Sequence, residues 1–262
     1  MTTPATPRPS STICLLRDGV DGMEVMMGRR SATARFMANA WVFPGGRVDD
    51  ADRVRAASLV QGDNAPSQLP WILAALRETV EEAGIWLTER PRSEALGDRN
   101  VYDTLEAAGE TFVAEVRYFA NWVTPADLPI RYDARFFATV VTADVSPVPD
   151  DQEIVEIQWV RPRDVILRSA DGEWIVPFPT HATLEQLARA SSAAAFMETA
   201  ATIDVEAVEP RIKMEHDGSI RLVLPGEPEY DELADLRYDF DELAAAARRL
   251  QGPGRRRFAE LE

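Results

Sequence analysis

Apolar and polar positions along this chain follow two periods. Short apolar runs at 12–16 and 23–27 flank Arg17-Asp18-Gly19-Val20-Asp21-Gly22, which predicts two strands joined by a turn. Trp41-Val42-Phe43-Pro44-Gly45-Gly46 predicts a strand running into a backbone that needs room or unusual dihedrals. From Pro70 to Ala83 the period lengthens. Ile72, Leu73, Leu76 and Val80 fall on one helix face, Pro70 suits the first turn, and Gly84 suits the C-terminal end. Before that helix, residues 53–60 are expected to form a short helix and residues 61–68 a loop. Strand patterns return at 112–119, 134–141 and 154–160, and residues 162–167 and 183–190 look helical. Ile212 and Met214 alternate before Asp217-Gly218, and Ile220, Leu222 and Leu224 alternate after it, the pattern of a hairpin. Leu233, Leu236, Phe240 and Leu243 mark one face of a final helix. Strands and helices mixed in this way predict an α/β or α+β fold.

Composition narrows the chemistry. In 262 residues, 44 acidic side chains outnumber 28 basic ones, for a net charge of −16. Such a surface is a poor partner for a nucleic-acid backbone or an anionic membrane. Cys14 is the only cysteine, so neither an internal disulfide nor a thiolate metal cage can form. His181 and His216 are too few for a three-histidine zinc site, and Lys213, the only lysine, stands in no P-loop. Carboxylates, which bind hard cations, and arginines, which grip phosphate, remain. No stretch reaches the ~18 apolar residues of a membrane span. Residues 1–10 lack the apolar core of a signal peptide and are expected to be disordered. With a lone thiol, the expected compartment is the cytoplasm.

The densest acidic constellation is Arg77-Glu78-Thr79-Val80-Glu81-Glu82-Ala83-Gly84. On a helix, Glu78 shares a sector with Glu81 and Glu82, where like charges cost a few tenths of a kcal/mol per pair. A divalent cation would turn that repulsion into attraction, and an all-oxygen donor set selects Mg²⁺ or Mn²⁺. The competing reading is a solvated acidic face. The upstream Phe43-Pro44-Gly45-Gly46 favours the first, because it completes a strand–loop–helix frame.

In that frame the chain resembles the Nudix hydrolases. Their box reads Gly, five residues, Glu, seven residues, then Arg-Glu-apolar-x-Glu-Glu-x-Gly-apolar. Gly46 fits the first glycine, and Arg77, Glu78, Glu81, Glu82, Gly84 and Ile85 fit the second half. Asp52 stands where the first Glu belongs, and Thr79 replaces an apolar residue. Residues 53–76 number 24 where the box allows seven, an insertion of 17 that is expected to loop out around 62–68. An interrupted box of this kind resembles the coenzyme A diphosphatase branch. So do Arg29-Arg30-Ser31, Val42–Gly46, Trp122-Val123-Thr124-Pro125, Arg135-Phe136-Phe137 and Asp150-Asp151-Gln152-Glu153.

The resemblance implies a Nudix-type α/β/α sandwich with a mixed sheet over 11–191, the insertion lying around 53–69. A C-terminal extension, hairpin plus helix, would follow over 192–262. It implies a small-molecule substrate, a nucleoside diphosphate linked to another group, with coenzyme A or acyl-coenzyme A favoured. An ADP-ribose or dinucleotide hydrolase, or a non-catalytic nucleotide-binding domain, is the alternative. Glu78, Glu81 and Glu82 would hold Mg²⁺ or Mn²⁺ with a Gly45 or Gly46 carbonyl, and Arg77 would orient a glutamate. Glu78, Glu82, Asp151 and Glu153 are all candidates for the general base. Arg29, Arg30, Arg35 and Arg47 are candidates for the substrate's phosphates, against the plainer reading of surface arginines. Trp41 and Phe43 could stack on a base or pack the core. A homodimer is implied by the resemblance alone.

Overall fold

The computed structural model of the protein describes residues 3–34, 37–141, 144–234, 236–239 and 243. The chain divides into two compact units, one of Ser10–Ala120 with Arg135–Val205, the other of residues 1–9, 121–134 and 206–262.

The larger unit begins with β1 (Arg8–Gly19) and β2 (Gly22–Arg30), an antiparallel hairpin closing at Gly19 opposite Gly22. The turn lies where expected, but both strands run further than their apolar cores. β1 starts inside the stretch expected to be disordered, because the Arg8 N–H donates to the Arg131 carbonyl at 2.9 Å. The single strand expected at 41–46 is two. β3 (Trp41–Val42) pairs with β2, β4 (Gly45–Arg47) pairs with β1, and Pro44, which has no N–H to give a ladder, separates them. There follow α1 (Asp50–Leu59), β5 (Val60–Gln61), a 3₁₀ turn at Pro66–Gln68, α2 (Leu69–Ala83), β6 (Ile85–Trp86), β7 (Arg92–Ser93), α3 (Val101–Ala108) and β8 (Phe112–Val113). Then come β9 (Arg117–Val123), β10 (Tyr132–Val140), β11 (Ile154–Val160), α4 (Pro162–Ala170), α5 (Phe178–Leu187) and α6 (Ala193–Ala200). The central strands lie in the order β11-β2-β1-β10-β9.

Both faces of this sheet are covered, which explains why its strands are apolar runs rather than alternations. Ile13, Leu15, Met26 and Phe137 point into a core shared with Ile72, Leu73, Leu76 and Val80 of α2. Their neighbours Cys14, Leu16, Val25, Met27 and Phe136 point the other way and are equally buried. On that second face Phe119 meets Phe196 of α6 edge to face at 5.1 Å. Helices on both sides of the sheet make the α/β/α sandwich. Complete burial of an Ile or Leu contributes about 1.5–3 kcal/mol each.

The box insertion holds the expected short helix, starting earlier at Asp50, and the expected irregular stretch after it, tightened into a 3₁₀ turn at Pro66–Gln68. Asp49 and Asp52 form a reciprocal capping box, so the helix starts at Asp50 and carries Asp52 in its first turn. Ala56 and Leu59 then pack α1 into the same core as α2. β5 pairs in parallel with β8. The helices α3 and α6 have no counterpart among the expected elements.

In the smaller unit, β12 (Ala207–Val208) pairs in parallel with Asn121 and Trp122 of β9. β13 (Arg211–Met214) and β14 (Ile220–Val223) form the expected hairpin. Buried Arg131 donates to the Thr124 and Ala5 carbonyls at 2.9 Å each and to Glu209 at 2.7 Å. The final helix expected through Leu233 and Leu236 is not continuous. Asp231–Leu233 is a 3₁₀ turn, residues 236–239 are irregular, and Phe240 lies outside the described residues. Among the described residues no helix is long and apolar enough to cross a membrane.

Candidate active site

The site is organised around Arg77, which lies on α2 and is 6% exposed. A guanidinium has five N–H donors, and here each finds an acceptor. Nε donates to Asp52 Oδ1 at 3.3 Å, while Nη2 donates to Asp52 Oδ2 at 3.3 Å and to the Arg47 carbonyl at 2.9 Å. Nη1 donates to Glu78 at 2.8 Å and to Glu81 at 2.5 Å. Burial opposes the charge on Arg77, but Glu78, Asp52 and Glu81 outweigh it and hold its pKa above the ordinary value.

Asp52, the acid whose place in the interrupted box was open, is fully buried and anchors this hub. Besides Arg77 it accepts from the Tyr102 hydroxyl at 2.7 Å and the Asp49 N–H at 2.8 Å. Burial, then the bond to Asp52, raises the Tyr102 phenol well above its usual range, so it stays a proton donor. Thr79 is tolerated in an apolar position because its hydroxyl donates to the Ala75 carbonyl at 2.9 Å.

Glu78 and Glu82 face the Gly-Gly turn. Glu82, buried, accepts from the Gly45 N–H at 3.2 Å. Gly46 has space only for hydrogen, since a Cβ there would overlap the Glu78 carboxylate, whose farther oxygen would stand 2.8 Å away. The Gly46 carbonyl accepts from the Ser10 hydroxyl at 2.9 Å. Burial pushes the Glu78 carboxyl up to about 7, against the pull of Arg77 and with help from Glu81 and Glu153. Burial also raises Glu81. Glu82 is raised well above its usual range, by burial and then by Glu78, against the Gly45 N–H and Arg30. Among the described residues no three His, Cys, Asp or Glu side chains already form a metal cage, and Arg77 stands between Glu78 and Glu81. The donor set nevertheless fits a hard divalent cation. It is all oxygen, it is costly to ionise without a positive partner, and it borders a glycine where a side chain would fill the space.

The four candidate arginines part company. Arg29 is tied by Nε to Glu156 at 2.8 Å. Arg30 acts on Glu82 by its charge, and its buried Nε has no hydrogen-bond partner. Arg47 extends into solvent, while its carbonyl holds Arg77. Arg35 lies outside the described residues. Glu153 stands at the start of β11, close enough to act on Glu78 and Glu82. The neighbouring turn is capped by Asp150, which accepts from the Glu153 N–H at 2.9 Å. Trp41 stacks on Trp174 at 3.7 Å and Phe43 meets Phe136 edge to face at 6.5 Å, so both are core residues. Tyr102 was absent from the expected site. Asn100, a capping residue before Val101, Tyr102 and Leu105, was the signal for its helix.

A family model described as the NUDIX domain matches residues 7–178. A Caenorhabditis elegans protein assigned to the nudix hydrolases as number 7 is 32% identical over 178 residues, 63% of this chain and 56% of that protein. The chain thus spans little more than half the length of that relative. The acyl-coenzyme A diphosphatase NUDT19 of Xenopus laevis is 21% identical over 81% of this chain and 73% of its own length. The crystal structure of a NUDIX hydrolase from Alicyclobacillus acidocaldarius is 28% identical, with a TM-score of 0.64 over 74% of this chain and 96% of that one. Glu78, Glu81 and Glu82 share one helix inside the matched region, the first two tied through Arg77 to an acid upstream, and the chain belongs to the Nudix hydrolase family.

Proposed function

We propose that the chain is a divalent-cation-dependent diphosphatase that cleaves the pyrophosphate bond of coenzyme A or an acyl-coenzyme A. One observation carries the hydrolytic reading: a single helix presents buried Glu82 and half-buried Glu78 and Glu81, all raised by burial, and Glu78 and Glu82 meet the Gly45-Gly46 turn. The substrate class is supported by the likeness to the Xenopus acyl-coenzyme A diphosphatase along 81% of the chain.

In this reading Glu78, Glu81, Glu82 and the Gly46 carbonyl hold Mg²⁺ or Mn²⁺. Such a cation, when bound, neutralises pyrophosphate oxygens and lowers the pKa of an attacking water. Glu153 takes the proton from that water as it adds to phosphorus, and the bond from that phosphorus to the bridging oxygen breaks. Arg30, with a buried donor to spare, and exposed Arg47 bind the phosphates. Arg77 touches no substrate and fixes Glu78 and Glu81. Glu81→Gln should lower metal-dependent turnover of coenzyme A by orders of magnitude with an unchanged circular dichroism spectrum. Full activity of that variant would overturn the ligand assignment. Assayed beside coenzyme A, faster turnover of ADP-ribose or a dinucleotide would overturn the substrate class.

A further inference from the structure

We propose that Tyr102, outside the Nudix box, is a positioning residue for the metal-holding glutamates, acting through Asp52 and Arg77. This rests on the metal reading above. The two Arg77–Asp52 contacts are both 3.3 Å, whereas Arg77 reaches Glu78 at 2.8 Å and Glu81 at 2.5 Å. Charge-assisted N–H···O bonds are ordinarily about 2.7–2.9 Å long. The guanidinium therefore leans toward the glutamates. What keeps Asp52 from drawing it back is a pair of shorter bonds on the far side, from the Tyr102 hydroxyl at 2.7 Å and the Asp49 N–H at 2.8 Å. Of these two, only the hydroxyl reaches the oxygen that faces Arg77 Nε.

Tyr102 is itself fixed. The Asn100 side chain accepts from the Tyr102 and Asp103 N–H groups at the start of α3. Arg55 of α1 lies over the phenol ring at 5.3 Å and pairs with Glu106 one turn further along α3. A neutral hydroxyl on a helix 25 residues beyond Arg77 thus sets how far the hub tilts toward the site. Without it, Oδ1 of a fully buried carboxylate keeps only its long contact to Arg77. Arg77 is then pulled inward, and Glu78 and Glu81 lose the common anchor that turns their second oxygens the same way.

Tyr102→Phe keeps the ring and its packing and deletes only the hydroxyl. Mn²⁺ binding to the protein alone, read from loss of the free-Mn²⁺ EPR signal, should weaken about tenfold, as for other partners that orient metal ligands. kcat for coenzyme A should fall with it while KM stays put. Asp52→Asn should weaken Mn²⁺ binding at least as much. The double variant should be no worse than Asp52→Asn alone, because the hydroxyl then has no carboxylate to hold. Wild-type Mn²⁺ affinity in Tyr102→Phe, or additive losses in the double variant, overturns the positioning role and leaves the metal reading standing. Absence of Mn²⁺ binding by the wild-type protein overturns both.

Discussion

Gly46→Ala adds one methyl group between a strand and a carboxylate. The new Cβ would stand within 2.8 Å of both Glu78 carboxylate oxygens, and real Cβ atoms essentially never approach closer than 3.0 Å. The nearest of those atoms belong to the far end of a flexible side chain, so the side chain gives way and the backbone does not. The Glu78 carboxylate has to retreat by about 1 Å, a displacement that costs on the order of 100-fold in rate when a reacting group is misplaced. That equals about 2.7 kcal/mol of transition-state stabilisation. Gly45→Ala is the contrasting perturbation. Its Cβ would meet the Ser11 carbonyl at 2.5 Å and Thr12 Cα at 2.8 Å, both backbone atoms of β1. It should destabilise the fold by about 1–3 kcal/mol, with Tm falling roughly 2–4 °C for each kcal/mol. Steady-state hydrolysis of coenzyme A with saturating Mn²⁺, beside thermal melts, separates the two. Gly46→Ala should lose kcat and nearly keep its Tm, and Gly45→Ala should lose Tm. Undiminished kcat in Gly46→Ala would refute the placement of Glu78 at the reacting centre.

Burial binds protons to Glu78, Glu81 and Glu82 more tightly in the folded protein than in the unfolded chain, so stability from this source is present below the ordinary carboxyl pKa of 4.5 and is lost as pH rises through the folded values, about 7 for Glu78. For Glu78 the loss is roughly 3 kcal/mol. The rise in Tm on adding Mg²⁺ or Mn²⁺ should therefore be larger at pH 8 than at pH 5, and an equal rise at both would show that the cation meets no buried acid. Arg30→Ala should raise KM for coenzyme A more than Arg29→Ala does, since Arg29 is already held by Glu156. The reverse order in steady-state kinetics would move the phosphate contact to Arg29.

What could be read from the sequence was what repeats over short distances. The paired burial of Ile13 and Leu15 on one face, Cys14 and Leu16 on the other, is written in one uninterrupted apolar run. The helix bearing Glu78, Glu81 and Glu82 is announced by its apolar stripe, Pro70 and Gly84. The hub was not legible, because its parts come from Arg47, Asp52, Arg77 and Tyr102, brought together only by tertiary packing. The helix and the loop of the insertion were both legible, but the helix starts earlier than expected, because the capping pair Asp49 and Asp52 that starts it looked like part of the box. Nothing local separates Arg29 from Arg30. Their difference is Glu156, on a strand that pairs with β2 from far along the chain.

Cys14 sits in β1 with no exposed surface, and burial raises its thiol well above the usual value. The protein therefore carries a built-in clock. A maleimide or disulfide reagent can modify this sulfur only when the middle of the sheet comes apart, so the labelling rate of unaltered protein measures how often that happens. A substitution that disturbs only the catalytic end should leave the rate untouched, and one that loosens the sandwich should quicken it.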